Sequence, residues 1–170
     1  YIGRSLEATW RDEAQARIEA HRKGDFELTL LNEAGQPLAG SLSLELERHY
    51  FHFASVIDAG TLNGTTEDSA TYRAKVLELF NASGTENDLK WPPLVGDWGP
   101  AFNYSRTSTA LEWLRLRGFY IRGHVLVWPG ESNLPNFIRT RLAGTAEQRA
   151  SVPQEVLDHI TETVEAYAPW

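Results

Sequence analysis

The chain alternates three short apolar segments with three segments of helical spacing, and this alternation limits its fold more than any other feature of the sequence. The apolar, strand-like segments are 51–57, 82–86 and 119–128. The segments with apolar residues at helical spacing are 67–80, 107–117 and 154–167. Strands of parallel sheets are buried on both faces and therefore have nearly continuous apolar sequences. The order predicts parallel βαβ units, in either a doubly wound sheet or a (β/α)8 barrel.

The region before the first of these strands has a different pattern. Residues 5–23 are rich in helix formers, begin at Ser5 and end in basic residues before Gly24, which predicts a helix. Residues 26–31 and 41–46 alternate apolar and polar residues around the turn-forming run N-E-A-G-Q-P, which predicts a β-hairpin within 25–49. We therefore divide the chain into an introductory helix and hairpin at 1–49 and a barrel-forming segment at 50–170.

Composition excludes several classes of protein and partner. The 170 residues carry a net charge of −7, and no basic cluster is longer than Arg22-Lys23, so neither nucleic acid nor an anionic membrane is an expected partner. The absence of cysteine excludes disulfides, thiolate metal sites and cysteine nucleophiles. No G-x-G-x-x-G follows a predicted strand, which removes the usual support for a dinucleotide-binding sheet. An uncharged ligand fits this chain best.

Polar and aromatic residues suited to binding follow the second and third predicted strands. T-E-N-D-L-K-W supplies Glu86, Asn87, Lys90 and Trp91, and G-H-V-L-V-W supplies His124 and Trp128. We expect these groups to converge, because functional residues of parallel barrels lie at the carboxyl ends of strands. Strand alternation would place His124 and Trp128 on one face, with Val125 and Val127 on the other. Carboxylate, amide and ammonium groups that bind hydroxyls, together with indoles that cover a ring face, indicate a sugar site.

Each of these residues also has an ordinary structural interpretation. Glu86 and Lys90, four positions apart, are spaced as a surface ion pair of little energetic value. His124 by itself is typical of a hydrogen-bonded core histidine, and no second histidine or acid stands at metal-ligand spacing, so we expect no metal site. For Trp91 and Trp98 the ordinary interpretation is packing within the loop that follows the second strand.

The two motifs, E-N-x-x-K-W and G-H-x-L-V-W, in this order and about one βα unit apart, resemble those of the family-ten glycoside hydrolases, the (β/α)8-barrel xylanases. Three longer runs, F-H-F-A-S-V, L-F-N-A-S-G-T-E-N-D-L-K-W and F-Y-I-R-G-H-V-L-V-W, are similar to that family's first three barrel strands. The likeness extends from about Arg17 onward. It favours the (β/α)8 barrel, of which this chain would supply about the first three βα units.

The resemblance implies a role for each matching residue. Asn87 and Lys90 would hydrogen-bond xylose hydroxyls on the glycone side of the cleaved bond, with Glu86 as the neighbouring carboxylate, and His124 and Trp128 would line the subsite where the bond is cut. The implied activity is cleavage of internal β-1,4 linkages of xylan with retention of configuration. Xylan or a xylo-oligosaccharide is the expected ligand, no cofactor is expected, and the expected location is extracellular or periplasmic although no signal peptide is visible.

The sequence departs from the family pattern in two places. Many members continue after Trp128 with H-S-Q, whereas P-G-E follows here, so a glutamine ligand is replaced by Glu131 or is missing. Retaining glycosidases use an acid/base and a nucleophilic carboxylate roughly 5–5.5 Å apart. In the family these two carboxylates follow the fourth and seventh strands. Both catalytic residues are therefore expected after Trp170, and no catalytic residue is expected within this chain. Glu86 and Glu131 as a local catalytic pair is a weaker alternative.

These departures predict an incomplete barrel. Its first and third strands would be sheet edges, and its inner face would be open. We expect the complementary C-terminal barrel half to come from a second chain or from a continuation of this one, and the 170-residue chain alone to be inactive. The alternative is a carbohydrate-binding or scaffold half barrel without hydrolytic activity.

Overall fold

The computed structural model describes residues 3–170 and consists of two units, divided after Glu45. The first unit contains the predicted helix as α1, Trp10–His21, with Asp12 and Glu13 in its first turn and His21 in its last, as the helix dipole favours.

The predicted hairpin is wrong in extent. Only its turn is formed, where Asn32 Oδ1 accepts hydrogen bonds from the N–H groups of Ala34 and Gln36, and Leu31 and Pro37 form one antiparallel bridge. No strand is present elsewhere between residues 22 and 53. Most large apolar side chains of this segment, including Leu28, are exposed, and a two-stranded hairpin with no packed face is only marginally stable.

The second unit, Leu46–Trp170, contains the alternating elements. The strands are β1 (Ala54–Ile57), β2 (Ala82–Thr85) and β3 (Tyr120–Ile121). The helices are α2 (Ala59–Asn63), α3 (Glu67–Leu79), α4 (Trp91–Leu94), α5 (Tyr104–Leu116), α6 (Asn136–Leu142) and α7 (Ala146–Tyr167), and a 3-10 turn spans Glu131–Asn133. None of the helices in the described residues 3–170 has the length and apolar character needed to cross a bilayer.

The three strands form one parallel sheet in the order β1-β2-β3. Ala54 of β1 pairs with Ala82 of β2, which in turn pairs with Tyr120 of β3. Helices α2 and α3 lie between β1 and β2 in the chain, and α4 and α5 lie between β2 and β3. The parallel βαβ units predicted from the alternating sequence are therefore present.

The core lies between the outer face of this sheet and its helices. It contains Ile57, Ala59, Leu62, Val76, Ala110, Leu114 and Phe119. The side chain of Ile57 is buried, whereas its neighbour Val56, which points to the opposite face of β1, is 48% exposed. The sheet thus has one face packed against helices and one open face.

β3 is shorter than the strand predicted over 119–128. Pairing extends just past Ile121, since the N–H of Arg122 donates to Ser83 O at 2.8 Å, and a side chain on Gly84 would collide with the carbonyl of Arg122. β2 ends at Thr85, so residues 124–128 have no residue of β2 opposite them. The alternating faces predicted for His124 to Trp128 are correspondingly absent, and Val125 faces the same small cavity as Trp128.

Candidate functional site

The loop after β2 brings two of the predicted binding residues into direct contact. A turn closes where Lys90 N–H donates to Asn87 O at 3.0 Å, and the Lys90 ammonium donates to Asn87 Oδ1 at 2.7 Å. Glu86 is exposed, and its N–H donates to Ile57 O at the end of β1 at 2.9 Å. Glu86 and Lys90 do not pair with each other among the ion pairs of residues 3–170, so the surface ion pair is not the explanation of this spacing.

The Lys90 ammonium joins this loop to the segment after β3. It lies 5.3 Å from the ring centroid of Trp128 and 5.7 Å from that of Trp98, within cation–π range of both indoles. Trp128 in turn meets His124 edge to face, with ring centroids 6.0 Å apart. Asn87, Lys90, Trp128 and His124 therefore form one connected cluster at the carboxyl ends of β2 and β3, as the sequence predicted, and we call these four residues the cleft cluster.

His124 is held neutral by its surroundings. Partial burial is the largest cause that holds the pKa of His124 below its ordinary value, and the positive charges of Arg122 and Lys90 add to it. A neutral imidazole has one nitrogen that donates and one that accepts a hydrogen bond. At neutral pH, His124 can therefore donate a hydrogen bond to a hydroxyl group or accept one from it.

Two ion pairs made by one arginine hold the loop after β2 in place. Asp88, between Asn87 and Lys90, is only 2% exposed, and its Oδ1 accepts a hydrogen bond from Arg106 Nε at 2.7 Å. Arg106, from α5, also pairs with Asp58 at 3.0 Å, so one guanidinium ties the loop after β2 to the residue that follows β1. Sequence reasoning missed this network, although Asp88 stands inside the motif.

The two carboxyl groups of this network have opposite pKa shifts. Burial raises the pKa of Asp88 despite the nearby Arg106. Burial opposes ionisation of Asp58 as well, but hydrogen bonds from the backbone and hydroxyl of Thr61 and the charge of Arg106 outweigh it, so the pKa of Asp58 is lowered. The difference follows from burial, since the side chain of Asp58, the N-cap of α2, is 44% exposed, whereas Asp88 lies in the interior.

The segment after β3 is held by α7. The ring of His159 stacks on that of Trp91, with centroids 4.1 Å apart and planes 5° from parallel. His159 Nε2 lies 2.8 Å from Leu126 O and its Nδ1 lies 3.2 Å from the hydroxyl of Thr163. Burial lowers the pKa of His159, which suits a neutral ring that donates to the carbonyl and accepts from the hydroxyl. Trp91 is thus a packing residue, which was the alternative to its expected place among the sugar-binding groups.

Glu131 does not join the cleft cluster. It is exposed in the 3-10 turn and lines a separate cavity with Pro129 and Leu134, while Asn133 of the same turn lines the small cavity at Lys90 and Trp128. The side chains of Glu86 and Glu131 have no hydrogen-bond or ion-pair partner among residues 3–170, so nothing in the described structure supports a local catalytic pair. Across those same residues, no three histidine or acidic side chains are grouped so that they could hold a metal ion.

Comparison with known proteins identifies relatives for most of the chain. An anti-sigma-I factor, RsgI6, from Acetivibrio thermocellus is 24% identical over 77% of this chain, and the endo-β-1,4-xylanase Xyn10C from Cellvibrio japonicus is 31% identical over 59% of it. The matched region spans 17% of the length of each of these relatives. Among solved structures, a thermostable mutant of the xylanase Xyn10A from Cellvibrio japonicus is 22% identical, with a TM-score of 0.44 over 65% of this chain and 29% of that one.

The family itself is shown by a sequence model. The model of glycosyl hydrolase family 10 matches residues 41–169, which contain all three strands and every residue of the cleft cluster. The family resemblance predicted from the two motifs is thereby confirmed, and with it the (β/α)8 class of fold, of which the described structure contains three parallel strands. This chain belongs to glycosyl hydrolase family 10.

Proposed function

We propose that this chain forms the glycone-side sugar-binding part of a barrel that cleaves internal β-1,4 linkages of xylan with retention. The observation that carries the proposal is the cleft cluster, in which an amide, an ammonium, an imidazole and an indole meet at the carboxyl ends of β2 and β3. Membership of family 10 and the similarity to a named endo-xylanase support the substrate class.

The chemistry of the cleft cluster suits vicinal hydroxyls. Asn87 supplies an acceptor and two donors, Lys90 supplies three donors, and neutral His124 supplies one of each. Trp128 is 43% exposed and offers an apolar face for the C–H groups of a pyranose ring. Glu86, exposed beside this cluster, is the carboxylate that we assign to the same subsite. The net charge of −7 makes a neutral glycan a better ligand than an anionic one.

The catalytic carboxylates belong, in this proposal, to later strands of the barrel. A retaining mechanism needs an acid/base and a nucleophile roughly 5–5.5 Å apart, and Glu131 lies outside the cleft cluster. β1 and β3 each pair on only one side within residues 3–170, and the inner face at Val56 is open. These features support completion of the barrel by further strands, supplied by a second chain or by a continuation of this polypeptide.

Calorimetric titration with xylohexaose tests the binding role. The wild-type chain is expected to bind, and Lys90→Ala is expected to weaken binding about tenfold or more, because a hydrogen bond from a charged group contributes about 1.5–3 kcal/mol. Lys75→Ala is the matched control, since it removes a lysine on the exposed surface of α3 that pairs with Glu78. A wild-type chain that releases no heat with millimolar xylohexaose would refute the proposal, as would equal affinities of the Lys90→Ala and Lys75→Ala variants.

A second candidate is a family-10 module that binds xylan without cleaving it. One curated relative is named as an anti-sigma factor rather than as a hydrolase, so the family likeness extends to proteins with other names and roles. Release of reducing ends from xylan by the completed barrel separates the two. New reducing ends support the hydrolase, whereas binding without them supports the second candidate.

A further inference from the structure

The loop between α4 and α5 holds one tryptophan in a defined position at the edge of the cleft cluster. Trp98 stands between Gly96 and Gly99, whose φ angles of 84° and 95° are ones that other residues rarely adopt. The loop is closed by hydrogen bonds of 3.0 Å from Asp97 N–H to Pro92 O and from Gly99 N–H to Gly96 O. The position of Trp98 is therefore set by the backbone of a tight loop.

A side-chain contact anchors the same loop to α6. Asp97 Oδ2 accepts a hydrogen bond from the N–H of Asn136, the first residue of α6, at 2.7 Å. A carboxylate at this place also complements the positive end of the helix dipole. Trp98 is further restrained by Phe102, whose ring meets it edge to face with centroids 5.9 Å apart.

Trp98 differs from the tryptophan seven positions before it. Trp91 is 3% exposed and stacks on His159, whereas Trp98 is 41% exposed, although loop packing is the ordinary interpretation of both in the sequence. Trp98 and Trp128 flank the same Lys90 ammonium, at 5.7 and 5.3 Å, so the two indoles lie within the reach of one oligosaccharide. An exposed indole held rigidly beside an ammonium and an amide has the composition of a sugar-binding platform.

We propose that Trp98 is a specificity-determining residue that stacks against a second sugar ring of a β-1,4-linked xylo-oligosaccharide, next to the ring bound by the cleft cluster. This inference rests on the function proposed above and extends it by one subsite. The competing explanation is that Trp98 only fixes the Lys90 ammonium by its cation–π contact. The two explanations differ in how the contribution of Trp98 depends on ligand length.

Calorimetric titration of the full chain with xylose and xylohexaose separates these explanations. Trp98→Ala is expected to weaken xylohexaose binding by roughly fivefold to tenfold while changing xylose binding less than about twofold, because a single sugar ring in the cleft cluster does not reach the second subsite. Trp98→Phe keeps an aromatic face and is expected to stay within about threefold of wild type for xylohexaose. Trp10→Ala, which removes an exposed tryptophan from α1, is the matched control and is expected to leave both affinities unchanged.

Three results would overturn the inference. An unchanged xylohexaose affinity in Trp98→Ala would show that the indole contacts no sugar, and equal losses for both ligands would show that it acts only through Lys90. Loss of affinity in Trp98→Phe as large as in Trp98→Ala would show that the aromatic face is not what the ligand uses. In each case the wild-type chain still binds, so the function proposed above stands, whereas a wild-type chain that binds neither ligand refutes both. Thermal melts of each variant confirm that the chain remains folded.

Discussion

At the scale of single residues, the loop that carries Asn87 and Lys90 is held by the buried carboxylate of Asp88. Asp88 adjoins Asn87 in the chain, and its contact with Arg106 ties the loop to α5. The sequence predicted the cluster because its residues follow strand ends, but it offered no signal that joins Asp88 to a residue 18 positions later. Such pairs depend on how helices pack on the sheet, which a local pattern does not encode.

Arg106→Met is expected to lower the free energy of unfolding by about 3–5 kcal/mol at pH 7, because it leaves the Asp88 carboxylate buried without a cation. Adding Asp88→Asn is expected to recover part of this loss, since an amide is less costly to bury than an unpaired charge. Chemical denaturation of the wild type and of these single and double variants measures the coupling. Purely additive effects of the two substitutions would contradict the account.

The same variants have a defined pH dependence. The pKa of Asp88 is raised in the folded state. The stability that comes from keeping Asp88 protonated is therefore fully present below the pKa of an unfolded aspartate, about 3.9, and is lost as pH rises through the folded pKa. Without Arg106 the pKa rises further, so the deficit of Arg106→Met is expected to shrink from pH 7 to pH 4. Denaturation curves at both values measure this change, and a deficit that is larger at pH 4 would exclude the proposed cause.

Lys90→Gln is expected to raise the pKa of His124, because it removes one of the two positive charges that disfavour the imidazolium. An NMR titration of the imidazole resonances follows the midpoint directly. Lys75→Gln, on the exposed face of α3, serves as the control and should leave the midpoint in place. A lower midpoint in Lys90→Gln would show that Lys90 does not act on His124 through its charge.

At the scale of elements, the sequence predicted type and order better than ends. All three strands and the helices at 67–80 and 107–117 are present, because their apolar residues recur at strand or helix spacing. The helix predicted over 154–167 begins earlier, at Ala146, where Thr145 and Gln148 form a capping box. The last predicted strand was too long because its length depends on where β2 ends.

Asn81 links β1 and β2 at their amino ends, and its replacement tests how much that link contributes. Its side chain accepts from Phe53 N–H at 2.8 Å and donates to the carbonyls of His49 and Phe51 at 2.9 Å. Asn81→Ala is expected to lower the free energy of unfolding by about 1–3 kcal/mol. Asn81→Asp keeps the acceptor but turns a carboxylate toward two carbonyls, so it should cost at least as much at pH 7. Thermal or chemical denaturation measures the stability of both variants. An Asn81→Asp variant as stable as the wild type would contradict this geometry.

At the scale of the whole molecule, the main feature is the open face of the sheet. His52, Val56, Tyr120 and Arg122 line a concave surface enclosing about 370 Å³ on the side away from the helices. In a closed barrel this side is filled by side chains from all eight strands. The sequence predicted this exposure from the family resemblance alone, since no local pattern states how many strands a sheet contains.

The open face and the strand edges predict self-association of the 170-residue chain. Sedimentation velocity is expected to give a weight-average mass that rises above 19.1 kDa with concentration. Val56→Lys places a charge on the open face and should reduce the association. Leu77→Lys, at a residue of α3 that is also 48% exposed, should not. A monomer at every concentration would contradict this interpretation.

The most direct test of the central claim, that the carboxyl ends of β2 and β3 form a xylan-binding site, is an NMR titration of the six tryptophan indole N–H signals with xylohexaose. Trp128 lies in the cleft cluster, whereas Trp91 is buried and stacks on His159, and Trp113 of α5 packs against the core. The account predicts a saturable shift of the Trp128 signal, with the Trp91 and Trp113 signals nearly unchanged. A Trp128 signal that does not shift on addition of xylohexaose would contradict the account, whether or not the other tryptophan signals shift.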